Sequence, residues 1–194
     1  MTLVLASASS IRQAMLVAAG VEHRVDPARI DESAVKAAHH GDDCALARTL
    51  AEAKALETSQ RSSGNWVIGG DSLVSVDGRR FDKPASRDEA ADHLRFFSGR
   101  KMRLTSAVAL ARSDQVDWSH AEQAILNVRS LSDSFIHTYL EAEWPDVSYC
   151  VGVFRMEGRG VTLFTSVEGD HFTILGMPLL PLLGALRTRG LVAA

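Results

Sequence analysis

The period of the apolar positions changes several times along the chain, and each change marks an element. Leu3-Val4-Leu5-Ala6 is a short continuous apolar run and reads as a buried strand. Ser7 to Ser10 is polar loop. From Arg12 to Ala19, Met15, Leu16 and Ala19 recur at helical spacing, and Gly20 supplies a stop. His23 to Val25 reads as a second strand, ended by Asp26-Pro27, and Ile30-Asp31-Glu32 as loop. A longer helix is expected from Asp43 to Glu57, with Leu46, Leu50, Ala53 and Leu56 as its apolar stripe.

The middle of the chain is rich in strand signals. Trp66-Val67-Ile68 and Leu73-Val74-Ser75-Val76 are apolar runs separated by Gly69-Gly70-Asp71, and Asp77-Gly78 marks a hairpin turn. Ser86-Arg87-Asp88-Glu89 is a capping box for a helix ending near Ser98-Gly99. Met102 to Ala111 alternates like a strand, and Ala121 to Val128 is its expected partner. Ser132 to Glu143 reads as a helix with Phe135, Tyr139 and Leu140 facing inward. Gly160 to Val167 reads as a strand, and Leu179 to Arg187 as a closing helix. Helices mixed with hairpins predict an α/β or α+β arrangement around a mixed sheet.

Composition narrows the class. The chain has 194 residues, 46% hydrophobic and 23% charged, which suits a globular core. That length fits one domain over 1–194 or two tightly packed lobes. Lys+Arg is 21 against Asp+Glu 24, a net charge of −3. This argues against a partner that is a nucleic acid polymer, which calls for a basic face. No run is long enough to span a bilayer, and the apolar start lacks the basic flank of a signal segment, so no membrane association is expected and a cytoplasmic location is the default. Cys44 and Cys150 have no zinc-type spacing and read as reduced thiols.

Four places could carry chemistry. Ser7-Ala8-Ser9-Ser10-Ile11-Arg12 is a strand-to-helix turn. Its backbone N–H groups and Arg12 suit a phosphate, while plain N-capping by Ser9 or Ser10 is the simpler account and needs no ligand. Gly69-Gly70-Asp71-Ser72 puts an acid after two glycines within an apolar pattern. Such glycines mark a bulge or a close approach, and the acid would be partly buried, bonded to its own backbone or holding a metal or a water. Lys54 lies near an apolar helix stripe, and Lys83 precedes Pro84 in a turn; each is a solvated side chain or a phosphate contact. Glu157-Gly158-Arg159-Gly160 is a glycine-rich turn with one acid, an ordinary hairpin or a carboxylate held for a base.

In chain order these segments resemble the Maf family of nucleoside triphosphate pyrophosphatases. The matching segments are Leu5-Ala6-Ser7-x-Ser9-x-x-Arg12, Ile30-Asp31-Glu32, Leu50-Ala51-x-x-Lys54-Ala55 and Val67-Ile68-Gly69-Gly70-Asp71. They continue with Asp77-Gly78, Lys83-Pro84, Leu94-x-x-x-Ser98-Gly99, Glu157-Gly158-x-Gly160 and Gly176-Met177-Pro178-Leu179. Each is short; their shared order is what is specific.

The resemblance implies an elongated mixed β-sheet flanked by helices, with two lobes around a central cleft, and a homodimer. It implies hydrolysis of the α–β phosphoanhydride of a nucleoside triphosphate, with a divalent cation, Mg²⁺ or Mn²⁺. Asp71 takes the proton-acceptor role, and Glu32 and Asp71 the metal. Ser7, Ser9, Arg12, Lys54 and Lys83 meet the substrate. Ile11, Ser72 and Glu157 fall at positions that differ between substrate branches. Glu157 after Cys150-Val151-Gly152 resembles the 7-methyl-GTP branch, whereas the Trp and Gln of that branch are replaced by Ile11 and Ser72. A nucleotide-binding regulator of septum formation with little turnover is the alternative the family suggests.

Overall fold

The structure, a computed structural model, describes residues 2–62 and 64–193. The elements in chain order are β1 (Leu3–Leu5), α1 (Ser10–Ala18), β2 (His23–Val25), α2 (Glu32–Ala38), α3 (Asp43–Arg61), β3 (Trp66–Val76) and β4 (Arg79–Phe81). They continue with α4 (Arg87–Phe97), β5 (Lys101–Arg112), β6 (Gln115–Val128), α5 (Asp133–Glu143), β7 (Phe164–Glu168), α6 (His171–Ile174) and α7 (Leu179–Thr188). Seven strands form one sheet in the order β2-β1-β3-β5-β6-β7, with β4 on β3. Among the described residues no helix is long and apolar enough to cross a membrane.

The chain divides into two compact units, interleaved in sequence. The first comprises 1–72, 105–122 and 170–194, and the second 73–104 and 123–169. In the first unit β1 is parallel to both neighbours, Leu3 pairing with His23 and with Trp66. A strand with neighbours on both edges and cover on both faces has no wet side, which is why Leu3 to Leu5 are apolar without alternation. The apolar core here joins Leu3, Leu5, Leu16, Ile68, Leu110, Met177 and Leu182. From Leu104 to Ala111 β5 is also buried on both faces, so the expected alternation is confined to its first residues.

In the second unit β4 pairs antiparallel with β3, Val76 against Arg79, across Asp77-Gly78. Both turn residues have positive φ, +50 and +77, as a two-residue hairpin of this twist requires. Ser86 caps α4, its Oγ accepting from Glu89 N at 3.1 Å, and Glu89 returns by accepting from Ala85 N at 2.7 Å. Leu94 and Phe97, on the inner face of that helix, are fully buried.

Several expected boundaries move. Gly20 ends α1 with φ +69, yet Ala19 is exposed and the buried face is Arg12, Met15 and Leu16. Helix α3 runs on to Arg61, and its buried stripe is Leu46, Ala47, Leu50, Ala51 and Ala55, while Ala53 and Leu56 are half-buried. Glu32 is not loop but the first residue of α2, because Asp31 caps it by accepting from Ala34 N at 3.1 Å. Residues Arg159–Leu163 form a 3₁₀ turn, so the last strand begins only at Phe164. There the chain doubles back: a Cβ on Gly160 would lie 2.4 Å from Arg155 O. Phe135 is half-buried, stacked on Tyr139, with Ile136 taking the inward place. Cys44 and Cys150 form no disulfide, and both are half-buried.

Candidate active site

Gly69 and Gly70 clear opposite faces of β3. A Cβ on Gly69 would lie 2.1 Å from Ala51 O and 2.8 Å from Ala55 N, so α3 rests its backbone on the strand. A Cβ on Gly70 would lie 3.3 Å from Arg12 Nε. Because side chains alternate along a strand, Asp71 shares the α3 face with Gly69, and Ser72 shares the Arg12 face with Gly70. The glycines are therefore marks of close approach.

On the α3 face, Lys54 Nζ donates to Asp71 Oδ1 at 2.6 Å and lies 2.7 Å from Glu32 Oε1. The Lys54 and Asp71 side chains are only 13% and 9% exposed, and that of Glu32 is 44% exposed. One buried ammonium thus serves two carboxylates, one of them buried and one at the surface. A buried acid needs such a partner, since an uncompensated charge there is costly.

On the other face Arg12 is buried and makes four side-chain hydrogen bonds. Nε donates to Gly176 O at 2.9 Å, Nη1 to Ser7 Oγ at 3.2 Å and Gly70 O at 3.0 Å, and Nη2 to Ser72 Oγ at 3.0 Å. Burial pushes the guanidinium below its usual pKa, and the charges of Asp71 and Glu32 push it back up. Ser9 caps α1, its Oγ accepting from Arg12 N at 3.5 Å, and Ser7 Oγ accepts from Ser9 N at 3.3 Å. Ile11 is half-buried in the first turn of α1.

Ser72 Oγ lies 3.0 Å from Ser106 Oγ and donates to Gly176 O at 3.1 Å, while Ser106 donates to Thr173 O at 2.9 Å. Sequence reasoning passed over Ser106. Its available signal was a hydroxyl pair, Thr105-Ser106, inside an otherwise apolar strand run. Gly176, noted only as part of a motif, has φ +103, a conformation that suits glycine and turns its carbonyl toward Arg12 and Ser72.

The second unit holds Lys83 and Glu157, both exposed. Burial pushes the Cys150 thiol up to about 11; Glu157 adds to this, and Arg155 and Lys83 oppose it. That thiol is therefore not a nucleophile near neutral pH. Arg155 anchors the turn bearing Glu157. It donates to the buried Glu143 Oε2 at 3.0 Å and pairs with Asp146 at 2.8 Å, and its carbonyl accepts from Gly158 N at 3.1 Å. Glu157 lies in this turn and not in a β-hairpin.

The structure thus gathers Glu32, Lys54 and Asp71 in one cluster, and Ser7, Arg12 and Ser72 in another across the same strand. The family model described as Maf-like protein matches residues 2–189. The chain belongs to the Maf family. This Maf chain is 44% identical to a protein of Nitrobacter hamburgensis named nucleoside triphosphate pyrophosphatase, over 98% of this chain and 95% of that one. It is 45% identical to a protein of the same name from Sphingopyxis alaskensis, over 98% of each. It is 43% identical to a 7-methyl-GTP pyrophosphatase of Rhizobium meliloti, over 99% of this chain and 98% of that one.

The Maf chain brings two carboxylate oxygens, a ligand type that hard divalent cations take, onto a point that the Lys54 ammonium holds. Glu32 Oε1 and Asp71 Oδ1 converge to within 2.7 Å of one point, the Lys54 nitrogen. Among the described residues no group of three or more His, Cys, Asp or Glu is placed to hold a metal ion. Two carboxylates, with phosphate oxygens and waters completing the shell, are what Mg²⁺ typically uses.

Proposed function

We propose that this chain is a metal-dependent nucleoside triphosphate pyrophosphatase, releasing pyrophosphate and a nucleoside monophosphate. The observation that carries the reading is the Asp71–Lys54–Glu32 cluster, with Asp71 and Lys54 buried, in a chain whose relatives bear that name. Glu32 and Asp71 would hold Mg²⁺ or Mn²⁺, which when bound neutralises phosphate charge. Asp71 accepts the proton of the attacking water. The water oxygen bonds to the α-phosphorus, and the α–β bridging bond breaks with its electrons leaving on pyrophosphate. Lys54 and Lys83 supply positive charge to the phosphates, the Ser7–Ser9 loop adds backbone donors, and the chain acts as a homodimer.

Pyrophosphate release from a panel of nucleoside triphosphates, with Mg²⁺ or Mn²⁺ and then with a chelator, tests this. Equimolar pyrophosphate and monophosphate, abolished by chelation, is the expected result. Cleavage at the β–γ bond, or nucleotide binding without release, would overturn it, and the latter would favour the regulator.

The substrate in this reading carries guanine, with 7-methyl-GTP first. Guanine offers two donors, N1–H and the N2 amino group, and an ionised carboxylate such as Glu157 accepts both. Uracil and thymine would turn carbonyls toward it. N7 methylation puts positive charge on the ring and strengthens both bonds. Glu157→Gln is expected to lower kcat/KM for guanine nucleotides by about tenfold and to raise UTP or dTTP relative to them. An unchanged ranking in the variant removes Glu157 from base selection.

A further inference from the structure

We propose that Arg12 is a positioning residue that holds the Asp71 segment of β3, and that it does not bind phosphate. The proposal rests on the pyrophosphatase reading for what Asp71 does. Two of the Arg12 acceptors, Gly70 O and Ser72 Oγ, flank Asp71 in the strand. A third, Ser7 Oγ, lies in the loop after β1, and the fourth, Gly176 O, lies between α6 and α7. One planar side chain therefore ties together three segments that are distant in sequence.

A guanidinium has five N–H donors in a fixed fork, and four here are committed to neutral protein acceptors. A bidentate grip on phosphate would take two donors, and one is left. The close approach of Gly70 and the positive φ of Gly176 shape the strand and the loop around this group. Its charge is on the far side of β3 from Lys54, on the face that Asp71 turns away from.

Ser72 belongs to the same clamp. Its hydroxyl accepts from Arg12 Nη2 and donates to Gly176 O, with Ser106 Oγ 3.0 Å away. Through these bonds Ser72 helps to hold the strand on the Arg12 face.

The test compares wild type with Arg12→Ala, Arg12→Lys and Ser72→Ala. Inorganic pyrophosphate affinity is measured by calorimetry with Mg²⁺, and kcat and KM on the preferred triphosphate. Positioning predicts pyrophosphate Kd and KM within about threefold of wild type, with kcat down ~10²-fold in both Arg12 variants and about tenfold in Ser72→Ala. Lysine fails to rescue, because three donors on one nitrogen cannot reach four spread acceptors. A purely structural role would lower the unfolding midpoint and leave kcat of the folded protein alone. Substantial rescue by Arg12→Lys, or pyrophosphate binding weakened about tenfold or more in Arg12→Ala, overturns the proposal. Should the Arg12 variants fail to fold, Ser72→Ala decides alone, and an unchanged kcat there sinks it. Wild type that binds pyrophosphate without turnover removes the pyrophosphatase reading and leaves the Kd comparison to judge Arg12. Wild type that does neither removes both.

Discussion

Asp71→Asn is expected to lower kcat by ~10²-fold or more, with the protein still folded. Asparagine keeps the volume of the side chain and a carbonyl oxygen that can still accept from Lys54 Nζ. It loses the proton-accepting carboxylate. The ammonium retains Glu32 at 2.7 Å, so the substitution strands no buried charge, which is why folding should survive. Turnover at saturating triphosphate, measured beside the thermal midpoint, is the check. A role limited to holding the metal would let excess Mn²⁺ restore much of the rate; a role in taking the proton would not. Near-normal turnover in the folded variant would remove Asp71 from the chemistry.

Gly69→Ala is expected to destabilise the fold by about 3 kcal/mol or more. The added Cβ would lie 2.1 Å from Ala51 O and 2.8 Å from Ala55 N. Both are backbone atoms of a hydrogen-bonded helix, so no side-chain rotation relieves the clash, and α3 must move off β3. Lys54 rides on that helix, so the Asp71 contact at 2.6 Å should be lost with it. For a chain of this size the midpoint should fall by roughly 6–12 °C. Gly184→Ala in α7 is the control, since nothing lies within 4 Å of its Cβ position, and it should be neutral or slightly stabilising. Thermal and urea unfolding of the two variants make the comparison. A Gly69→Ala protein within about 1 kcal/mol of wild type would mean that the helix does not rest on the strand as described.

The contrast between these two positions shows what a linear pattern can hold. Two adjacent glycines before an acid signalled a close approach, and the acid itself as a candidate. They did not say that Gly69 admits a helix backbone while Gly70 admits an arginine, because the alternation of the strand becomes meaningful only once both faces are covered. The expected stripe on α3 held at Leu46 and Leu50 and missed at Ala53 and Leu56 for the same reason. Leucine spacing pointed to Leu46, Leu50, Ala53 and Leu56, but a helix lying on glycine packs through its small residues, so Ala51 and Ala55 face inward.

What the sequence by itself determined is whatever a local rule decides. The apolar run of β1, the Asp77-Gly78 turn, the Ser86 cap and the Gly20 stop each follow from a few neighbouring residues and their backbone preferences. The order of short motifs likewise carried the family and the identities of Asp71, Lys54 and Glu32 as candidates. Tertiary structure alone decided that Glu32 and Asp71 share one ammonium, and that Arg12 spends its donors on Ser7, Gly70, Ser72 and Gly176. It also decided that Ser113-Asp114 turns β5 into β6 with positive φ at both residues and no glycine, Asp114 N donating to Ser59 Oγ at 3.1 Å. These partners lie tens of residues apart or more. Which of them meet depends on helix packing and on which strand face each side chain takes, and no neighbouring residue encodes either.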